Sequence, residues 1–96
     1  MKHPAKTDAR QGPLVLVEWQ DAVIRTNWYE PEKAQKLKLA NIVTVGFLVQ
    51  QDEDIVAVAH SICHDDDFEV GDVTTIPAAW VKKVKKIPLK KGTGTR

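Results

Sequence analysis

Residues 42–62, IVTVGFLVQQDEDIVAVAHSI, constrain the fold most, because two β-branched, apolar runs flank the polar cluster Gln50 to Asp54. Val, Ile and Thr pack well on a pleated surface and lose side-chain freedom in a helix, so two such runs around a polar break read as a β-hairpin. In the first run Val43, Val45, Phe47 and Val49 fall on one face, and Thr44, Gly46, Leu48 and Gln50 on the other. A two-residue loop at Asp52-Glu53 pairs Val49 with Val56, Phe47 with Val58, Val45 with His60 and Val43 with Ile62. The opposite face then pairs Leu48 with Ala57 and Gly46 with Ala59. We expect the bulky face to meet the core and the small face to permit close approach, with Gly46 at a bend. Asp-Glu is a poor type I′ turn pair, which leaves open a longer loop and a register slip of one residue.

The flanking segments extend the β pattern. Leu14 to Asp21 alternates, with Val15, Val17 and Trp19 on one face, so it reads as a first strand with Trp19 anchoring the core or its rim. Ala22 to Tyr29 is a second extended piece or a loop. Pro31 suits a first helical position and Glu32 and Lys36 stand four apart, so a short helix is expected over Pro31 to Leu39. Cys63 to Asp72 reads as a hydrophilic turn closed by Gly71-Asp72, followed by a strand at Val73 to Ile76 that Pro77 ends. Trp80, Val84 and Ile87 recur at helical spacing, yet Val81 and Ile87 also suit a strand. The favoured reading is one helical turn at Pro77 to Val81 and then a last strand. The expected architecture is a mainly β, small α+β domain over residues 14–87: a strongly bent antiparallel sheet closing into a barrel, with one short helix. Residues 1–13 read as a disordered tail and 88–96 as a flexible basic tail.

A chain of 96 residues has room for one small core. Its single cysteine, Cys63, cannot form an intrachain disulfide, and a reducing compartment fits that usage. No apolar run approaches the roughly 20 residues that span a bilayer, and MKHPAKTDARQG lacks the apolar stretch of a signal peptide. The expectation is a soluble, cytoplasmic protein with no membrane partner.

The formal net charge of +1 conceals a segregation. Residues 52–72 carry Asp52, Glu53, Asp54, Asp65, Asp66, Asp67, Glu69 and Asp72 with no Lys or Arg, whereas residues 82–96 carry Lys82, Lys83, Lys85, Lys86, Lys90, Lys91 and Arg96 with no acid.

Chemistry-bearing motifs are sparse. His60, Cys63, His64 and the run Asp65 to Asp67 form the densest ligand-capable stretch. On a strand, His60 and His64 would stand roughly 13 Å apart, too far to share a zinc ion. Calcium loops begun at Asp65 or Asp66 end on Ile76 or Pro77 instead of the closing glutamate. Cys63 has neighbouring histidines but no nucleophile-elbow or cysteine-protease signature, and Gly92-Thr93-Gly94-Thr95 lies without the strand and helix that make a phosphate loop. No catalytic residue, metal ligand or cofactor is therefore assigned, and the expectation is a protein that is not an enzyme. The lysines remain: Lys82, Lys83, Lys85, Lys86, Lys90 and Lys91 could neutralise phosphates, and Trp80 beside them could stack on an exposed base. The reading is a small binding module that holds nucleic acid weakly. The alternative is a protein-protein adaptor or homo-oligomer that uses an exposed Trp and the two opposite-charge segments, with a host or phage protein, or a second copy, as partner.

Gly46, Leu48, Asp52 and Ile55 occupy the places that glycine, leucine, aspartate and an apolar residue hold in the first motif of Sm proteins, which the hairpin thus resembles. Val56 stands where that motif carries an asparagine of the base-binding pocket, and the second Sm motif is replaced by Ile76-Pro77-Ala78-Ala79-Trp80-Val81. The resemblance implies a bent barrel hairpin without a uridine-reading pocket. Over a longer span, Val17-Glu18-Trp19-Gln20-Asp21-Ala22, Trp28, Thr44 to Val49, Asp52-Glu53-Asp54, and Ile76-Pro77 followed by Val81 and Val84, the chain is similar to small uncharacterised proteins of bacteriophages and prophages. That likeness implies a phage accessory protein with an SH3-like or Sm-like β-barrel and brings no catalytic residues with it.

Overall fold

The computed structural model describes residues 10–89. They form a mainly β fold: five antiparallel strands in one sheet, with one short helix. The strands are β1 (Leu14–Asp21), β2 (Ala40–Gln51), β3 (Ile55–Cys63), β4 (Glu69–Pro77) and β5 (Val81–Lys86), with α1 (Pro31–Ala34) between β1 and β2 and a 3-10 turn (Ala78–Trp80) before β5. The order across the sheet is β4-β3-β2-β1-β5, so β4 and β5 are its two free edges. No ladder among the described residues joins those edges, and the sheet is not closed into a barrel by backbone hydrogen bonds.

The main core cluster draws its side chains from three strands. Val15 and Val17 of β1, Val56 and Val58 of β3 and Ile76 of β4 are buried together, with Trp19, Leu48, Val81 and Val84 packed against them. The alternation expected for β1 is present: Val15 and Val17 point inward and Glu18 outward. Trp19 is partly buried, and its indole Nε1 donates to Thr44 Oγ1 at 3.0 Å, which satisfies the one polar atom the ring carries inward.

The central hairpin forms, but the faces of β2 are the reverse of those expected. Leu48 pairs with Val58 and Phe47 with Ala59, after which an extra residue enters β2 between Leu48 and Gln50, and Gln50 pairs with Ala57. The bulge adds a residue to β2 only, so Gly46 and Leu48 turn inward while Val43 is 62% and Val45 42% exposed. The reversal enters at this bulge and not at the turn, because next to the turn Gln51 still shares its face with Val56, as expected for the odd-numbered residues of β2. Asp52 Oδ1 accepts from the backbone N–H groups of Asp54 (2.8 Å) and Ile55 (2.9 Å), which holds the turn that joins β2 to β3. The irregularity expected at Gly46 falls at Val49. Gly46 instead permits contact, since a Cβ there would lie 2.7 Å from the Ala59 carbonyl oxygen.

Two further boundaries differ. The helix expected to Leu39 stops at Ala34 and buries no residue, which leaves it without the tertiary contact that short helices need to propagate. Of the two alternatives for Ala22 to Tyr29, the loop is the one present, with a bend at Asn27. β3 runs to Cys63 and β4 starts at Glu69, so Gly71 and Asp72 lie inside a strand, Asp72 with φ of 54°. The turn and strand expected at the end of the domain are present as the 3-10 turn and β5.

At its ends the sheet is tied by Leu48 N–H to the Pro13 carbonyl (2.8 Å) and Ile87 N–H to the Leu14 carbonyl (2.8 Å). The Arg10 guanidinium sits 4.4 Å from the Phe68 ring centroid, and His64 meets the same ring edge-on at 5.5 Å. Among the described residues, no helix is long and apolar enough to cross a membrane.

Candidate nucleic-acid interface

β5 reads VKKVKK, and its hydrophobic residues are fixed by the core: Val84 pairs with Val17, and Val81 with Trp19. The four lysines between and beyond them are all exposed. Lys83 stands across from Glu18 and Lys85 across from Leu16, both on the outer face, while Lys86 stands across from Val15. The register between β1 and β5 shifts between Glu18 and Trp19, which leaves Lys82 as the unpaired residue of a bulge. The lysines thus line a free sheet edge from both sides and do not form a stripe on one face. Lys90 and Lys91 lie outside the described residues.

Trp80, in the 3-10 turn, is 41% exposed and forms a wall of a cleft of about 250 Å³. Ala79, Val81 and Lys82 come from the same segment, Gln20 and Ala22 from the end of β1, and Leu39 from the approach to β2. Pairing of β1 with both β2 and β5 brings these distant residues together, since Trp19 lies between Ile42 and Val81 in the sheet. Gln20 is opposite Asn41, and its Nε2 donates to Asn41 Oδ1 at 3.0 Å. The cleft therefore has an aromatic wall, a cation at its rim and an anchored amide. The local sequence marks Trp80 and the lysines but contains no sign of Gln20 or Leu39 as partners.

At the other edge the charge is negative. Glu69 and Asp72 belong to β4, and Asp65, Asp66 and Asp67 to the turn before it, where with Cys63 and His64 they line an open, polar groove. Among the described residues no group of three or more His, Cys, Asp or Glu is placed to hold a metal ion. His60 lies 3.2 Å from Thr74 Oγ1 and shares a hydrogen bond with it, and Cys63 is an exposed free thiol. Hydrogen bonds from the Ile55 backbone, the Gln50 side chain and the Asp54 backbone hold the Asp52 carboxyl below the ordinary value of 3.8.

Large apolar side chains also remain uncovered. Ile24 and Trp28 in the β1 to β2 connection are almost wholly exposed, and Val43, Val45, Val49 and Val73 project from the strands. No family model, curated protein or solved structure matches the chain.

Proposed function

We propose that the protein is a non-enzymatic binding module that holds nucleic acid weakly through its β5 edge. Lys82, Lys83, Lys85 and Lys86 neutralise phosphates, Lys90 and Lys91 extend the basic run, and Trp80 offers an aromatic surface at its start. The observation that carries this reading is the adjacency of Trp80 and Lys82 in one cleft at the end of a lysine-lined edge. We read the bent sheet as an SH3-like or Sm-like barrel, supported by the meeting of β1, β3 and β4 side chains in a single cluster. The setting we propose is a phage or mobile-element accessory role in the cytoplasm of a bacterial host, on the strength of the resemblance in residue order.

The test is fluorescence anisotropy with a labelled single-stranded oligonucleotide across a salt series. Affinity should fall linearly on logarithmic axes, and replacing Lys82, Lys83, Lys85 and Lys86 by Gln should lower the slope by about 0.7 for each phosphate that is no longer neutralised. Binding that ignores salt, or no binding at low salt, overturns the reading.

A second reading, an adaptor or homo-oligomer, is favoured by one specific observation: the two free edges have opposite charge, lysines on β5 and acids on β4 and its preceding turn.

A further inference from the structure

We infer that the cleft between Trp80 and Leu39 receives one unpaired nucleobase, with the Gln20 amide addressing the edge of that base. The inference rests on the nucleic-acid reading above and makes it narrower: the ligand is single-stranded, and its bases contribute as well as its phosphates.

Three features of the cleft point to this chemistry. Its lining is mainly apolar, with the Trp80 indole on one side and Leu39, 54% exposed, as another wall, which suits a flat heterocycle better than a hydrated phosphate. Lys82 stands at the same cleft and, as the bulged residue of β5, is displaced from the regular alternation of the strand. Its ammonium group can meet a phosphate while the base attached to the same strand enters beside Trp80.

Gln20 supplies the remaining group. Its Nε2 is engaged by Asn41 Oδ1 at 3.0 Å, an exposed bond across the β1 to β2 ladder that orients the amide. The amide has a carbonyl oxygen and a second N–H to present, one acceptor and one donor, which is the pairing a base edge requires. A duplex cannot satisfy this arrangement, because its bases are stacked and paired and their faces are closed to an indole.

The experiment compares three probes on the full chain at low salt: a single-stranded oligonucleotide, an abasic oligomer of the same length and charge, and a duplex. The single strand is expected to bind at least about fivefold more tightly than the abasic oligomer, the ordinary effect of one stacked base. Trp80→Ala should remove that difference, Trp80→Phe should retain most of it, and Gln20→Ala should reduce it without altering the salt slope. Circular dichroism melts of each variant establish that the fold persists. If the abasic oligomer or the duplex binds as tightly as the single strand, the base-cleft inference fails and the lysine-edge reading survives. If none of the three probes binds, both fail.

Discussion

Asp52 shows how one side chain orders a turn. Its Oδ1 accepts from the Asp54 and Ile55 backbone and its Oδ2 from Gln50 Nε2 at 2.6 Å, which fixes the turn that joins β2 to β3. These bonds favour the ionised carboxylate, so the folded value lies below 3.8 and the unfolded chain takes up a proton first. The sign follows: the stabilisation is fully present above 3.8 and is lost as pH falls through the depressed folded value. Asp52→Asn keeps a side-chain acceptor and loses the charge. In urea melts the wild-type chain should be more stable than this variant at pH 6, and the gap should close at acid pH. A gap that does not change with pH would show that the charge has no part in the turn. Gly46 gives a second residue-level expectation. The Cβ of an alanine would press on the Ala59 carbonyl oxygen at 2.7 Å and lie 3.3 Å from Val58 Cβ, and neither a strand backbone nor a buried valine yields readily. Gly46→Ala should cost about 1–3 kcal/mol, the usual range for overpacking, read as a lower urea midpoint at unchanged slope.

At the scale of elements, the central hairpin separates what local pattern carries from what it does not. The existence of β2 and β3 follows from their β-branched runs, and Pro77 marks the end of β4 because proline gives no donor to a ladder. The faces of β2 do not follow, since alternation divides Val43, Val45, Phe47 and Val49 from Gly46 and Leu48 without saying which set is inside. Bulk favours the first set; the bulge near Val49 places the second set inward. The candidate site divides in the same way. Trp80 and the lysines are neighbours in sequence and are legible there, whereas Gln20 and Leu39 reach the cleft only through the pairing of β1 with strands on both sides. The hairpin register has its own test. Val58 is fully buried, so Val58→Ala should cost about 2 kcal/mol from the two methyl groups removed and the cavity they leave. Val43→Thr, on the exposed face, should stay within about 0.5 kcal/mol. Comparable destabilisation at both positions would mean that β2 presents its bulky face to the core.

For the whole molecule, the sheet has one basic and one acidic edge on a chain of net charge +1. No large net repulsion keeps two copies apart, and an approach of β5 on one copy to β4 on another brings Lys82, Lys83, Lys85 and Lys86 near Glu69, Asp72 and the Asp65 to Asp67 turn. Because both strands are exposed edges with hydrated charges, the attraction should be weak and sensitive to screening, whose range is about 10 Å at 0.1 M salt and about 3 Å at 1 M. Sedimentation velocity should therefore show concentration-dependent association in low salt that disappears in high salt. Reversal of the four β5 lysines to Glu should abolish it, and mixing that variant with one carrying Lys at Glu69 and Asp72 should restore it. A monomer at every salt and concentration would remove the homo-oligomer reading. The same lysines cannot serve phosphates and a second copy at once. An oligonucleotide added to the associated protein should then dissolve the assembly as it binds, in proportion to the sites it fills; an assembly that persists with bound nucleic acid would assign the two partners to different surfaces.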